Sequence, residues 1–74
     1  MPPKQTEYSS YYIWKEYKEG NHFSISLRGV PNNKFEVARV SIDSENSTTS
    51  TDIFTTDTMP KANSMFRSWV GERL

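Results

Sequence analysis

DIFTTDTMPKANSMFRSWVGERL, residues 52–74, changes its hydrophobic period partway along, and that change decides the architecture. Ile53 and Phe54 form a short apolar strand that runs into Thr55, Thr56, Asp57 and Thr58. Beyond them Ala62, Phe66 and Trp69 recur at spacings of four and three, with Met65 and Val70 beside them, which draws one apolar stripe on a helix. Asp57 or Thr58 is expected to cap this helix, because a short oxygen side chain accepts from the unpaired N–H groups of the first turn. Pro60 is tolerated there, since its missing N–H would have had no partner. Gly71 weakens the far end, so Glu72 to Leu74 are expected to fray.

Everything upstream reads as sheet. Residues 1–7 are polar with two prolines and are expected to form a loosely attached tail, leaving 8–74 as a single small domain. Tyr8 to Lys18 is crowded with aromatics and reads as strand in preference to a helix stopped by Gly20. His22 to Arg28 alternates cleanly: Phe23, Ile25 and Leu27 face one way, His22, Ser24, Ser26 and Arg28 the other. A three-residue loop, Glu19-Gly20-Asn21, would pair Tyr17 with Phe23 and Ile13 with Leu27, leaving only the Lys15 stem to snorkel. A two-residue loop would waste two of those three core pairs.

Gly29 to Asn33 has the chemistry of a turn. Strand three follows from Phe35 to Ile42. Its apolar phase slips from Phe35 and Val37 to Ala38, Val40 and Ile42, and a bulge near Val37-Ala38 would keep both halves on one face. Residues 43–51, almost wholly polar, read as a long mobile loop. The fourth strand is short, Ile53 to Thr55 or Thr56. The expected fold is therefore α+β: a four-stranded antiparallel β-meander with one C-terminal helix packed on one sheet face.

Composition narrows the function. The chain has 74 residues, no cysteine, one histidine, and nine basic against nine acidic residues. Disulfides and thiolate zinc sites are excluded. The lack of cysteine, of a secretory leader and of any apolar run near 20 residues leads to an expectation of a cytoplasmic protein with no membrane partner. No nucleophile elbow, phosphate-binding glycine loop or complete calcium loop is present. The expectation is a non-enzymatic protein with no catalytic residues, no metal and no cofactor.

One helix covers one face of such a sheet, so the second face is the candidate site. In the register above Tyr12 and Trp14 share that face with His22 and Arg28, and Tyr12 falls opposite Arg28, within reach of a ring–guanidinium stack. Tyr, Trp and Arg carry interface energy out of proportion to their number, so these four are the expected partner-binding residues. A protein partner is favoured, and homo-oligomerisation is left open. Nucleic acid is the alternative, with Tyr12 and Trp14 stacking on bases while Arg28 and Lys18 meet phosphate. Balanced charge argues against it, because phosphate binding draws on a basic excess.

The run Asp57-Thr58-x-x-x-Ala62-x-x-x-Phe66 resembles the sheet-to-helix junction of the plant AP2-type DNA-binding domain, which reads DNA with arginines and tryptophans on its sheet. Arg28, Arg39 and Trp14 are the only counterparts here. The resemblance covers about ten residues, and the same junction arises wherever a strand feeds a capped amphipathic helix. Several phage-encoded inhibitors of host proteins share the plan equally well. This is analogy of fold alone.

Overall fold

The alternation of Phe23, Ile25 and Leu27 sets the inner face of the sheet, and the whole chain folds around it. The structure, a computed structural model, describes residues 13–74. The expected tail over 1–7 and the Tyr8–Tyr12 start of the first strand lie outside the described residues. Four strands follow in order, β1 (Ile13–Glu19), β2 (Phe23–Val30), β3 (Lys34–Asp43) and β4 (Thr48–Thr56), and then the helix α1 (Met59–Arg73). Neighbours in sequence are neighbours in the sheet, and every pair is antiparallel. This is the α+β meander with a C-terminal helix that the sequence predicts.

The core lies between sheet and helix. Ile25, Leu27 and Val37 are fully buried, Phe23 nearly so, and Ala62 is the buried residue of α1. Tyr17, Phe35, Phe54, Met65, Phe66, Trp69 and Val70 pack around them, partly covered. The helical stripe read from the sequence is thus the docking stripe. Its smallest member, Ala62, is completely buried, and Phe66 and Trp69 pack against the same cluster partly covered.

Five local expectations are corrected. The β1–β2 loop is three residues long but consists of Gly20, Asn21 and His22, with Glu19 paired to Phe23. Gly20 takes a φ of 54°, in the left-handed region that glycine enters at no steric cost. The pairing therefore moves by two: Tyr17 meets Ile25 and Lys15 meets Leu27. A shift of two keeps each side chain on its face, so the inner face survives the error. A bulge at Trp14 then sends Ile13 opposite Arg28 rather than Leu27.

In β3 no bulge exists. Pairing with β2 is continuous from Phe23–Ser41 to Val30–Lys34. Phe35 and Val37 accordingly face the helix, and Ala38, Val40 and Ile42 face away from it. The apolar phase slip marks a strand with apolar residues on both faces.

Residues 43–51 are not a long mobile loop. β3 continues to Asp43, and β4 begins at Thr48, pairing regularly with β3 from Asp43–Thr48 to Phe35–Thr56. Only residues 44–47 turn. The Asp43 carboxylate holds that turn by accepting from the backbone N–H groups of Glu45 (3.1 Å) and Asn46 (3.3 Å) and from the Asn46 side-chain amide (2.8 Å). Threonine is a strong strand former, and that propensity outweighs the polarity of the segment when a partner strand lies alongside.

At the helix, Thr58 occupies the N-cap position with extended backbone but makes no side-chain cap bond. Its hydroxyl oxygen is buried without a hydrogen-bond partner among the described residues. Its backbone N–H donates instead to Thr56 Oγ1 at 3.4 Å. The helix also runs through Gly71 to Arg73, held by side-chain bonds that Arg39 donates to Glu72 (3.2 Å) and Arg73 donates to Glu19 (2.7 and 3.1 Å).

Leu27→Ala should cost about 2–5 kcal/mol, as much as the whole stability of roughly 3–5 kcal/mol expected at this size. Chemical denaturation should find it largely unfolded in buffer, and a cooperative transition near that of the parent would show the core to be elsewhere. Gly71→Ala should act in the other direction. A methyl there meets nothing within 4 Å, so removing helical glycine should add roughly 0.5 kcal/mol, up to about 1. A lowered midpoint would mean that residue 71 is not helical in solution.

Candidate functional site

Because strand side chains alternate, the register assigns the outer face residue by residue. Ile13, Glu16 and Lys18 come from β1, and Ser24, Ser26, Arg28 and Val30 from β2. β3 adds Lys34, Glu36, Ala38, Val40 and Ile42, and β4 adds Thr49, Thr51, Ile53 and Thr55. Cross-strand rows follow. One carries Ile13, Arg28, Glu36 and Thr55; the next Glu16, Ser26, Ala38 and Ile53; the third Lys18, Ser24, Val40 and Thr51. The middle of the face is built from small side chains, with β-branched residues toward β4. Ile13 (43 %), Ile42 (42 %) and Ile53 (52 %) are exposed.

One end of this face is closed by an ion pair. Arg28 donates from Nε (2.8 Å) and Nη2 (2.6 Å) to the same oxygen, Glu36 Oε1. The two residues are directly opposite on neighbouring strands, which is the spacing such a pair needs. The guanidinium is therefore engaged by a carboxylate of its own chain.

The four residues expected to form the site are dispersed. Arg28 is on the outer face, as the alternation requires. Tyr12 lies outside the described residues. Trp14, at the bulge, turns toward the helix side: its ring is tilted against Phe35 with centroids 5.6 Å apart, and both line a shallow cavity with Gly29 and Pro31. Because Gly29 pairs with Phe35 and carries no side chain, the indole can reach across it. His22 is in the β1–β2 turn, exposed, with Nε2 3.8 Å from Glu19 Oε1. Trp14 and His22 thus sit at opposite ends of the first hairpin. The outer-face residues that the sequence reading missed are Ala38, Val40, Ile42 and Ile53. For the three in β3 the signal was the phase slip in that strand, read there as a bulge; Ile53 belongs to β4.

The cations of the other face are also engaged. Arg39 stacks over Trp69 at 4.3 Å and binds Asp52 Oδ2 (3.0 Å) and Glu72 Oε1 (3.2 Å). Arg73 lies over the Phe23 ring at 4.0 Å and grips both oxygens of Glu19. Lys15, the expected snorkelling stem, reaches Asn63 Oδ1 at 2.6 Å beside the Phe66 ring. Glu19 also accepts from the Tyr17 hydroxyl at 2.8 Å. The Arg73 hydrogen bonds first, and the Tyr17 bond second, hold the Glu19 carboxyl down at about 2. Asp43 likewise lies below its usual value, chiefly through the Asn46 side-chain amide.

Among the described residues no group of three or more histidine and acidic side chains could hold a metal ion, and no helix is long and apolar enough to cross a membrane. No family model matches the chain, and neither the curated proteins nor the solved structures contain a match.

A carboxyl whose folded value is depressed contributes stability above its unfolded value and loses it as pH falls through the folded one. The Glu19 contribution should therefore fade between about 4.5 and about 2. Thermal melts across this window should show the parent losing stability more steeply than Glu19→Gln, which is already weakened at neutral pH. Parallel pH profiles would show that the Glu19–Arg73 contact is not formed in solution.

Proposed function

We propose that this chain is a small non-enzymatic binding module whose partner is a protein, engaged through the uncovered sheet face. The observation that carries the reading is the combination of exposed isoleucines with a face whose arginine is already ion-paired. Ile13, Ile42 and Ile53 stand out from a floor of Ser24, Ser26, Ala38 and Val40, with hydroxyls from Thr49, Thr51 and Thr55 along one side. Interface cores are depleted in charge and rimmed by polar groups, and this face has that composition.

The nucleic-acid alternative is less well supported. A phosphate-binding face needs cations available for phosphate. Here Arg28 is held by Glu36, and Arg39 points to the helix side, where Asp52 and Glu72 bind it. Among the described residues the outer face keeps only Lys18 and Lys34 besides, at its two ends and each beside a glutamate, Glu16 and Glu36. Trp14, the expected base-stacking residue, is 43 % exposed but lies against Phe35, away from Arg28 and the outer face.

Ser26→Arg places a bulky cation at the centre of the face, at a position that is not in the core. It should leave the melting temperature within a few degrees of the parent and abolish capture of the partner from an extract of the source organism. Capture should survive nuclease and change little between low and moderate salt. A complex lost on nuclease treatment, or weakened roughly tenfold or more by that salt change, would replace the protein reading with the nucleic-acid one.

A further inference from the structure

The two edges of the sheet are built differently. β1 carries Lys15, Glu16, Lys18 and Glu19 within seven residues and has a bulge at Trp14. Charges and bulges are the usual means by which an edge strand is kept from pairing with another chain. β4 has neither. It is nine residues long, contains no proline and no lysine, and pairs with β3 without irregularity. Its one charged residue, Asp52, is bound by Arg39 of its own chain. Among the described residues nothing pairs with its outer edge, so a row of backbone donors and acceptors is left to water.

From this contrast we infer that β4 pairs antiparallel with β4 of a second copy, giving a closed two-fold dimer with one continuous eight-stranded sheet. A second copy fits for three reasons. The chain has a formal net charge of zero, so two copies do not repel each other. Pairing about a two-fold axis is isologous, and the guarded β1 edges stop growth at two chains. The strand also matches itself. Residues opposite each other share a face, so the axis passes through a residue. An axis at Asp52 would set two carboxylates against each other, which is unfavourable. An axis at Ile53 sets this exposed side chain against its symmetry mate on the outer face and pairs Thr51 with Thr55 of the partner copy twice. Isoleucine and threonine pairs of this kind stabilise sheets. On the helix side the same register sets Phe54 of each copy opposite Asp52 of the other, beside a groove lined by Phe54, Pro60, Lys61, Ser64, Met65 and Ser68.

Sedimentation equilibrium over a dilution series should give twice the 8.6 kDa of the chain. Thr51→Lys, which puts a charge on the unguarded edge, should give the monomer mass with its circular dichroism unchanged. The lack of native cysteine allows a cleaner test. Ile53→Cys should be joined to its mate by a short bismaleimide at close to full yield, whereas Glu16→Cys on the β1 edge should not. Monomer mass at every concentration, or crosslinking at residue 16 in place of 53, would overturn the dimer. A monomer that still captures a protein partner would do so while leaving the binding reading intact.

Discussion

The contact between Ala62 and the Phe23–Ile25–Leu27–Val37 patch is the constraint on which the rest of the molecule depends. A four-stranded sheet of this size has little stability unless one face is sealed from water. α1 seals it with its smallest stripe residue, Ala62, wholly buried against the patch. Phe66 and Trp69 can then lie to either side, each covering more apolar area than a central residue could. A larger residue at 62 would lift the helix and uncover both.

Polar contacts around this core serve a second purpose. Arg73 on Glu19 and Phe23, Arg39 on Trp69 with Asp52 and Glu72, and Arg28 on Glu36 each bind a charge across two elements. Pairs at the surface are worth little one by one, about 0–1 kcal/mol. Their joint effect is on the character of the surface. The arginines that would give the sheet a basic field are neutralised at contact distance, and what remains at the middle of the outer face is small side chains, apolar area and hydroxyls, with Glu16, Lys18 and Lys34 toward its margins.

The two proposals draw on one sheet and share Ile53, Thr51 and Thr55, which belong both to its outer face and to its β4 edge. A face of small residues with protruding isoleucines suits a protein surface, and an unguarded edge suits another strand. Extending the sheet through β4 would leave the outer faces of both copies on one side. The dimer would therefore present the binding face twice, and avidity rather than new contacts would follow.

Much of this was legible in the sequence because period and composition are local properties. The 3.6-residue stripe of Ala62, Phe66 and Trp69 and the alternation of Phe23, Ile25 and Leu27 each name a face without reference to any other segment. Together they determine a meander with a covering helix. The candidate site was not legible, because it depends on which residues come opposite one another. Threonine-rich 48–56 became a strand only because β3 offered it a ladder, and polarity alone argued for a loop. The slip at Val37-Ala38 had two readings, a bulge or a strand apolar on both sides, and only the unbroken pairing with β2 chose between them. Trp14 left the outer face through a bulge that no spacing announces, since it arises where Gly29 leaves room for an indole to lie against Phe35. Local periodicity thus determined the elements and the inner face. Pairing across strands, a property of the assembled sheet, decided what the outer face presents.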